Sequence, residues 1–88
     1  MDRPTGAEYL DPLPWSDRIT PYDKAHFVTY LRLLDAEAAG TSDDDMCRII
    51  LDLDPADNPD EAARVLQDHM RRAKWMTKTG YKALLQDA

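Results

Sequence analysis

A single cysteine, Cys47, rules out an intramolecular disulfide and denies a metal centre the second thiolate that thiolate-based sites draw on. Glycine is scarce, with three residues, and no glycine-rich loop of the kind that wraps phosphate is present. No apolar run approaches the roughly 20 residues that cross a bilayer, and the opening stretch MDRPTGAEYLDPLP has neither the basic start nor the apolar core of a secretory leader. A reducing, cytoplasmic setting without membrane contact is expected. No β-type alternation, internal repeat or low-complexity tract occurs, so the chain reads as all-α. A nucleophile with base and orienter is missing, as is a spaced acid pair, so neither an enzyme nor a cofactor is expected.

What is present fits one small domain. Eighty-eight residues at 43% hydrophobic content bury about 60% of the surface that the unfolded chain exposes. The net charge is −6, but the distribution is uneven. Asp43, Asp44, Asp45, Asp52, Asp54, Asp57 and Asp60 lie in one stretch with Arg48 as its only base. After Glu61 the balance reverses through Arg64, Arg71, Arg72, Lys74, Lys78 and Lys82.

Residues 1–17 carry Pro4, Pro12 and Pro14 and little periodicity, which reads as an extended N-terminal arm whose Leu13 and Trp15 are large enough to dock. Residues 18–88 form the domain. Its first helix, about 21–39, starts with Thr20 as cap, Pro21 at the first position and Asp23 against the open amides, and stops at Gly40. Leu33, His26, Tyr30, Leu34, Phe27, Ala38 and Leu31 share its broad apolar arc. A second helix, about 43–53, follows the cap Ser42. The break LDPADNP places Asn58 and Pro59 as cap and first residue of a third helix, about 59–77. That helix buries Ala62, Val65, Leu66, His69, Met70, Ala73 and Met76, and turns Arg64, Asp68, Arg71, Trp75 and Lys78 outward. Gly80 ends it, and a short C-terminal helical turn, about 81–86, brings Tyr81, Leu84 and Leu85 over the core. Long helix, short helix, break, long helix is the layout of a small trihelical helix-turn-helix-like domain.

Two blocks, YDKAHFVTYLRLLDAEAAG (Tyr22 to Gly40) and RRAKWMTKTGYKALL (Arg71 to Leu85), sharpen that layout. Together they resemble a helix-turn-helix-like domain family of unknown function carried on proteobacterial integrative and conjugative elements. Its short, acidic, stand-alone members look like antiactivators of the QseM type. The resemblance implies a protein that binds FseA-type transcriptional activators built on the same domain, and LuxR-type quorum-sensing regulators, and so represses excision and conjugative transfer.

In helix-turn-helix proteins the first residues of the recognition helix meet base edges. Here Asp54, Asp57, Asp60 and Glu61 flank that end, and Asp43 to Asp45 crowd the start of the second helix, so DNA binding is not expected and a protein partner is. The candidate partner-binding residues are Arg64, Asp68, Arg71, Trp75 and Lys78, with Tyr81 and Trp15 beside them. Trp75 admits two readings: a side chain covered by the arm or the last turn, or an interface anchor framed by Arg71 and Lys78. The basic stripe reads as a solvated helix face, a docking surface for an acidic protein patch, or a DNA contact. Cys47 is a small core residue, and His26 and His69 fall on or beside apolar arcs; the three are too few and too separated for a metal. The alternative function is a DNA-binding regulator with the third helix in the major groove and Arg64, Gln67 and Arg71 reaching bases or phosphates.

Overall fold

Three of the helices, α1, α3 and α4, begin on a side chain that closes an amide the helix cannot satisfy itself. In the computed structural model, which describes residues 15–80, Thr20 accepts from the Asp23 amide while the Asp23 carboxylate accepts from the Thr20 amide, a reciprocal capping box. Pro21 follows at the first position, and α1 spans Pro21–Ala25. Ser42 caps α3, Asp43–Ile49, through the Asp45 amide. Asn58 caps α4, Pro59–Trp75, through the Glu61 amide, and its own side-chain amide donates back to the Glu61 carboxylate.

The sequence predicts one helix over 21–39, whereas the chain is interrupted at His26, and α2 runs Phe27–Ala38. His26 leaves helical geometry (φ −116°, ψ 19°), stacks on Tyr22, and pairs its ring Nδ1 with the Tyr22 carbonyl. The Tyr22 carbonyl also accepts from the His26 amide, so the side-chain bond shares its acceptor with the backbone ladder. α2 closes on Gly40 at φ +80°, with the Thr41 amide donating to Ala36 and the Gly40 amide to Glu37. This is the Schellman pattern, and it needs the left-handed conformation glycine adopts without strain.

α3 is shorter than the predicted 43–53. Its ladder widens where the Leu51 amide reaches back to Met46, and Asp52 then takes φ 55°. The connection to α4, residues 50–58, is longer than a three- or four-residue helix-turn-helix turn, and an Asp54 carboxylate accepting from the Ala56 amide shapes it. α4 continues from Met76 to Gly80 as a widened π-helical turn.

α4 is the floor of the domain: α2 and α3 both pack on it. One core cluster joins Leu33 of α2, Met46 and Cys47 of α3, Leu51, and Ala62, Val65, Leu66 and Met70 of α4. A second, further along α4, joins Tyr30, Ala73 and Met76, with Ile19, Leu34 and Trp75 against it. Cys47 is buried, its thiol pushed up by desolvation, and Sγ points at the Ala62 carbonyl at 3.6 Å. The predicted apolar arc of α2 is only partly used. Phe27 (37% exposed) and Leu31 (45%) face solvent, as does Ala38, because α4 covers just the Tyr30 and Leu33 side of the helix.

Among the described residues the fold is all-α, a small helix-turn-helix-like domain without a strand, and no helix is long and apolar enough to cross a membrane. The arm's first fourteen residues and the predicted turn with Tyr81, Leu84 and Leu85 lie outside the described residues.

Candidate functional site

One basic side chain of α4 does not face water at all. Arg72, read from the sequence as part of the basic run, is 1% exposed and clasps Asp23, itself fully buried. Its Nε donates to Asp23 Oδ1 at 3.0 Å and its Nη2 to Oδ2 at 2.6 Å, a two-pronged pairing that the planar guanidinium is built for. Nη2 also donates to the Arg18 carbonyl at 2.7 Å, and Nη1 to the Ser16 carbonyl. The Tyr30 hydroxyl donates to Asp23 Oδ1 at 2.9 Å. Every buried side-chain nitrogen and oxygen among the described residues is hydrogen-bonded.

Burial alone would push the Asp23 carboxyl up; the hydrogen bonds from Arg72, the Thr20 amide and Tyr30, with the guanidinium's charge, reverse this and hold it below its usual value. Burial and the same carboxylate push the Tyr30 phenol up. The physical outcome is a strap. By holding the Ser16 and Arg18 carbonyls, Arg72 fixes residues 16–18 across the second half of α4.

The strap delivers Trp15 onto Trp75, ring centroids 6.0 Å apart and edge to face. The Arg72 guanidinium lies 3.9 Å from the Trp75 ring centroid and 5.0 Å from that of Trp15, and the guanidinium of Arg71, itself an exposed residue, sits 5.3 Å from the Trp15 ring centroid. Trp75 is half-buried and Trp15 is 48% exposed. Of the predicted partner-binding residues, Trp15, Arg71 and Trp75 thus come together. Arg64 and Asp68 pair with one another at 3.3 Å, one to two turns nearer the start of α4. Lys78 is exposed on the π turn. Tyr81 lies outside the described residues.

A second polar cluster escaped the sequence reading. His69, fully buried, donates from Nδ1 to the Val65 carbonyl at 2.8 Å, which leaves Nε2 to accept from the Tyr22 hydroxyl. Desolvation lowers its pKa. The cluster ties α1 to the middle of α4, which no helical periodicity could have revealed.

The exposed charges divide by position. Asp45 and Asp54 flank Arg48 at 4.0 and 3.8 Å, and Asp43, Asp44, Asp45, Asp60 and Glu61 stand in the first turns of their helices, so much of the acidic surplus serves local structure. In the second half of α4 the exposed side chains are Gln67, Arg71 and Lys74, followed by Lys78. Gln67, Asp68, Met70, Arg71 and Lys74 line a shallow, open depression there. Lys74 bridges Glu37 of α2 at 3.2 Å, both half-exposed.

A polar, cationic stripe on the longest helix, on the side away from the core, is the arrangement by which a helix meets a duplex. Residues 3–86 match the family described as T6SS, transcription factor, DNA binding domain, the RovC DNA-binding domain. The chain belongs to this family. No curated protein matches it.

Membership in the RovC DNA-binding family corrects the expectation that DNA is not a partner. The acids that argued against it sit about the starts of α3 and α4, where Asp45 and Asp54 lie beside Arg48 and Glu61 accepts from the Asn58 side chain. The cations of α4 are concentrated two turns and more beyond its start, where no such cluster of carboxylates surrounds them. The family supports a regulatory domain of the DNA-binding type; it lends nothing to the antiactivator assignment, the activator partners, conjugation or quorum sensing.

Proposed function

We propose that this domain binds duplex DNA as part of transcriptional regulation, and that it does so through the solvent face of α4. The observation that carries the reading is the family match over residues 3–86. The stripe Gln67, Arg71, Lys74 and Lys78 supplies the chemistry. Arginine and lysine neutralise phosphates and release counterions, and a glutamine side chain both donates and accepts at a base edge. Arg64, tied to Asp68, lies on the shoulder of the same face. The acidic starts of α3 and α4 orient the encounter, because they repel the duplex and leave the second half of α4 as the face that approaches. Nothing in this reading requires a catalytic step; the domain acts by binding.

Fluorescence anisotropy with a labelled duplex, titrated with salt, tests the proposal. Three exposed cations engaging phosphate give a slope of log affinity against log salt of about −2.7. Arg71→Gln weakens binding and makes the slope shallower by about one. Absence of DNA binding at low salt, together with capture of a transcriptional activator by the same protein, returns the antiactivator reading instead.

A further inference from the structure

We infer that Trp15 is a second contact to the DNA backbone, held beside Arg71 by the Asp23 and Arg72 clasp, so that residues 15–18 and α4 form one composite duplex-binding surface. The inference rests on the DNA-binding reading above and extends it to a residue outside the helix. It starts from an oddity of packing. An indole ring that only covered a core would be buried, yet Trp15 keeps nearly half its surface in water while its other side is fixed by Trp75 and by two guanidinium groups. Fixing it takes a bidentate buried ion pair and two further hydrogen bonds to the backbone at Ser16 and Arg18.

The location is as informative as the rigidity. Arg71 lines the open depression that runs along Gln67, Asp68 and Lys74, and it also lines the recess it shares with Trp15. Trp15 is therefore the neighbour of the stripe that would meet the duplex, on the side of Arg71. A phosphate drawn to Arg71 brings its deoxyribose within reach of the exposed half of the indole. The sugar's C–H surface packs on an aromatic face, and the guanidinium already beside that ring takes the phosphate oxygens with directed donors. The two residues divide the contact, Arg71 the charge and Trp15 the apolar edge. Such a contact adds affinity without reading sequence, as backbone contacts do. Because the ring is immobilised before DNA arrives, little rotamer freedom is lost on binding.

The test uses the full chain and one labelled duplex, with three variants. Trp15→Ala weakens binding about tenfold at every salt concentration, with the slope unchanged because no charge is removed. Arg71→Gln weakens binding and makes the slope shallower by about one. Trp15→Phe, which keeps an aromatic face, retains most of the affinity. Circular dichroism confirms that each variant is folded at the temperature of measurement. Should Trp15→Ala not fold, Trp75→Phe leaves Trp15 as the only tryptophan, and saturating DNA then shields it from acrylamide quenching. If wild-type protein binds DNA with its salt slope while Trp15→Ala binds equally well, or while Trp15 stays as quenchable as before, this inference falls and the DNA-binding reading stands. If the wild-type protein does not bind duplex DNA, both fall together.

Discussion

Replacing Arg72 by methionine is the perturbation that interrogates the fold and the site at once. Methionine keeps much of the side chain's length and removes the charge. The change deletes two hydrogen bonds to Asp23 and two to the Ser16 and Arg18 carbonyls. It leaves a buried carboxylate that still accepts from the Thr20 amide and the Tyr30 hydroxyl but has lost its counter-charge. Breaking a buried pair from one side costs about 3–5 kcal/mol, chiefly through the uncompensated charge. A domain of this length has a total stability of about 4–13 kcal/mol, so roughly a quarter or more disappears. Urea unfolding followed by circular dichroism measures the loss.

The double variant Asp23→Asn with Arg72→Met separates the pair from general damage. Neutralising both partners removes the stranded charge, so the double variant loses less than the two single variants together, by at least about 2 kcal/mol. Acid titration gives an independent reading. Because the folded Asp23 carboxyl lies below its unfolded value of about 3.9, its contribution is complete above that value. It is lost as pH falls through the folded pKa, and Asp23→Asn abolishes that part of the acid dependence. A loss under about 1 kcal/mol for Arg72→Met, or strictly additive losses, would refute the claim that this pair straps residues 16–18 to α4.

His69 makes stability fall on mild acidification. Its folded pKa lies below the unfolded value of about 6.5, so between the two the unfolded chain takes a proton that the folded one refuses, and stability drops by up to about 1.4 kcal/mol per pH unit. Urea midpoints at two pH values on either side of 6.5 read this, and His69→Gln flattens the difference; an unflattened profile assigns the dependence elsewhere. Gly40→Ala costs about 1 kcal/mol from backbone strain alone, since φ is +80° and a methyl there meets no neighbour within 4 Å. Gly40→Asn costs less, and equal losses for both in thermal melts would contradict a strain origin. Glu37→Gln frees Lys74 from its bridge and raises DNA affinity about two- to threefold in the anisotropy assay, in line with the modest energy of a half-exposed pair. A weakened complex would instead place Lys74 off the DNA path.

The parts of the fold that were legible in the sequence are those decided within a few residues. Thr20 with Asp23, Ser42, Asn58 with Pro59, and Gly40 each satisfy or terminate a helix by local hydrogen bonding, so residue type and spacing are enough to find them. The buried stripe of α4 was legible for the same reason. Arg72 was misread although its position carried a signal: it stands seven residues after Val65 and three after His69, on the buried side of the helix, and its membership of a basic run masked that. Phe27, Leu31 and Ala38 failed in the other direction, because an apolar residue at helical spacing is covered only if another element reaches it.

By itself the sequence determined an all-α chain with the capped starts of α1, α3 and α4, its left-handed stop at Gly40 and its charge segregation, since those follow from short-range sterics, capping and counting. Only the tertiary structure decided that Asp23 and Arg72, forty-nine residues apart, neutralise one another, that His69 completes Tyr22, and that Trp15 comes to rest beside Arg71. The reason is dielectric as much as geometric. A carboxylate and a guanidinium are surface groups until packing removes their water, and which pair is buried together depends on how α1, α2 and α4 meet. The same packing left Arg71, Lys74 and Lys78 outside, and so decided which cations remain for a partner.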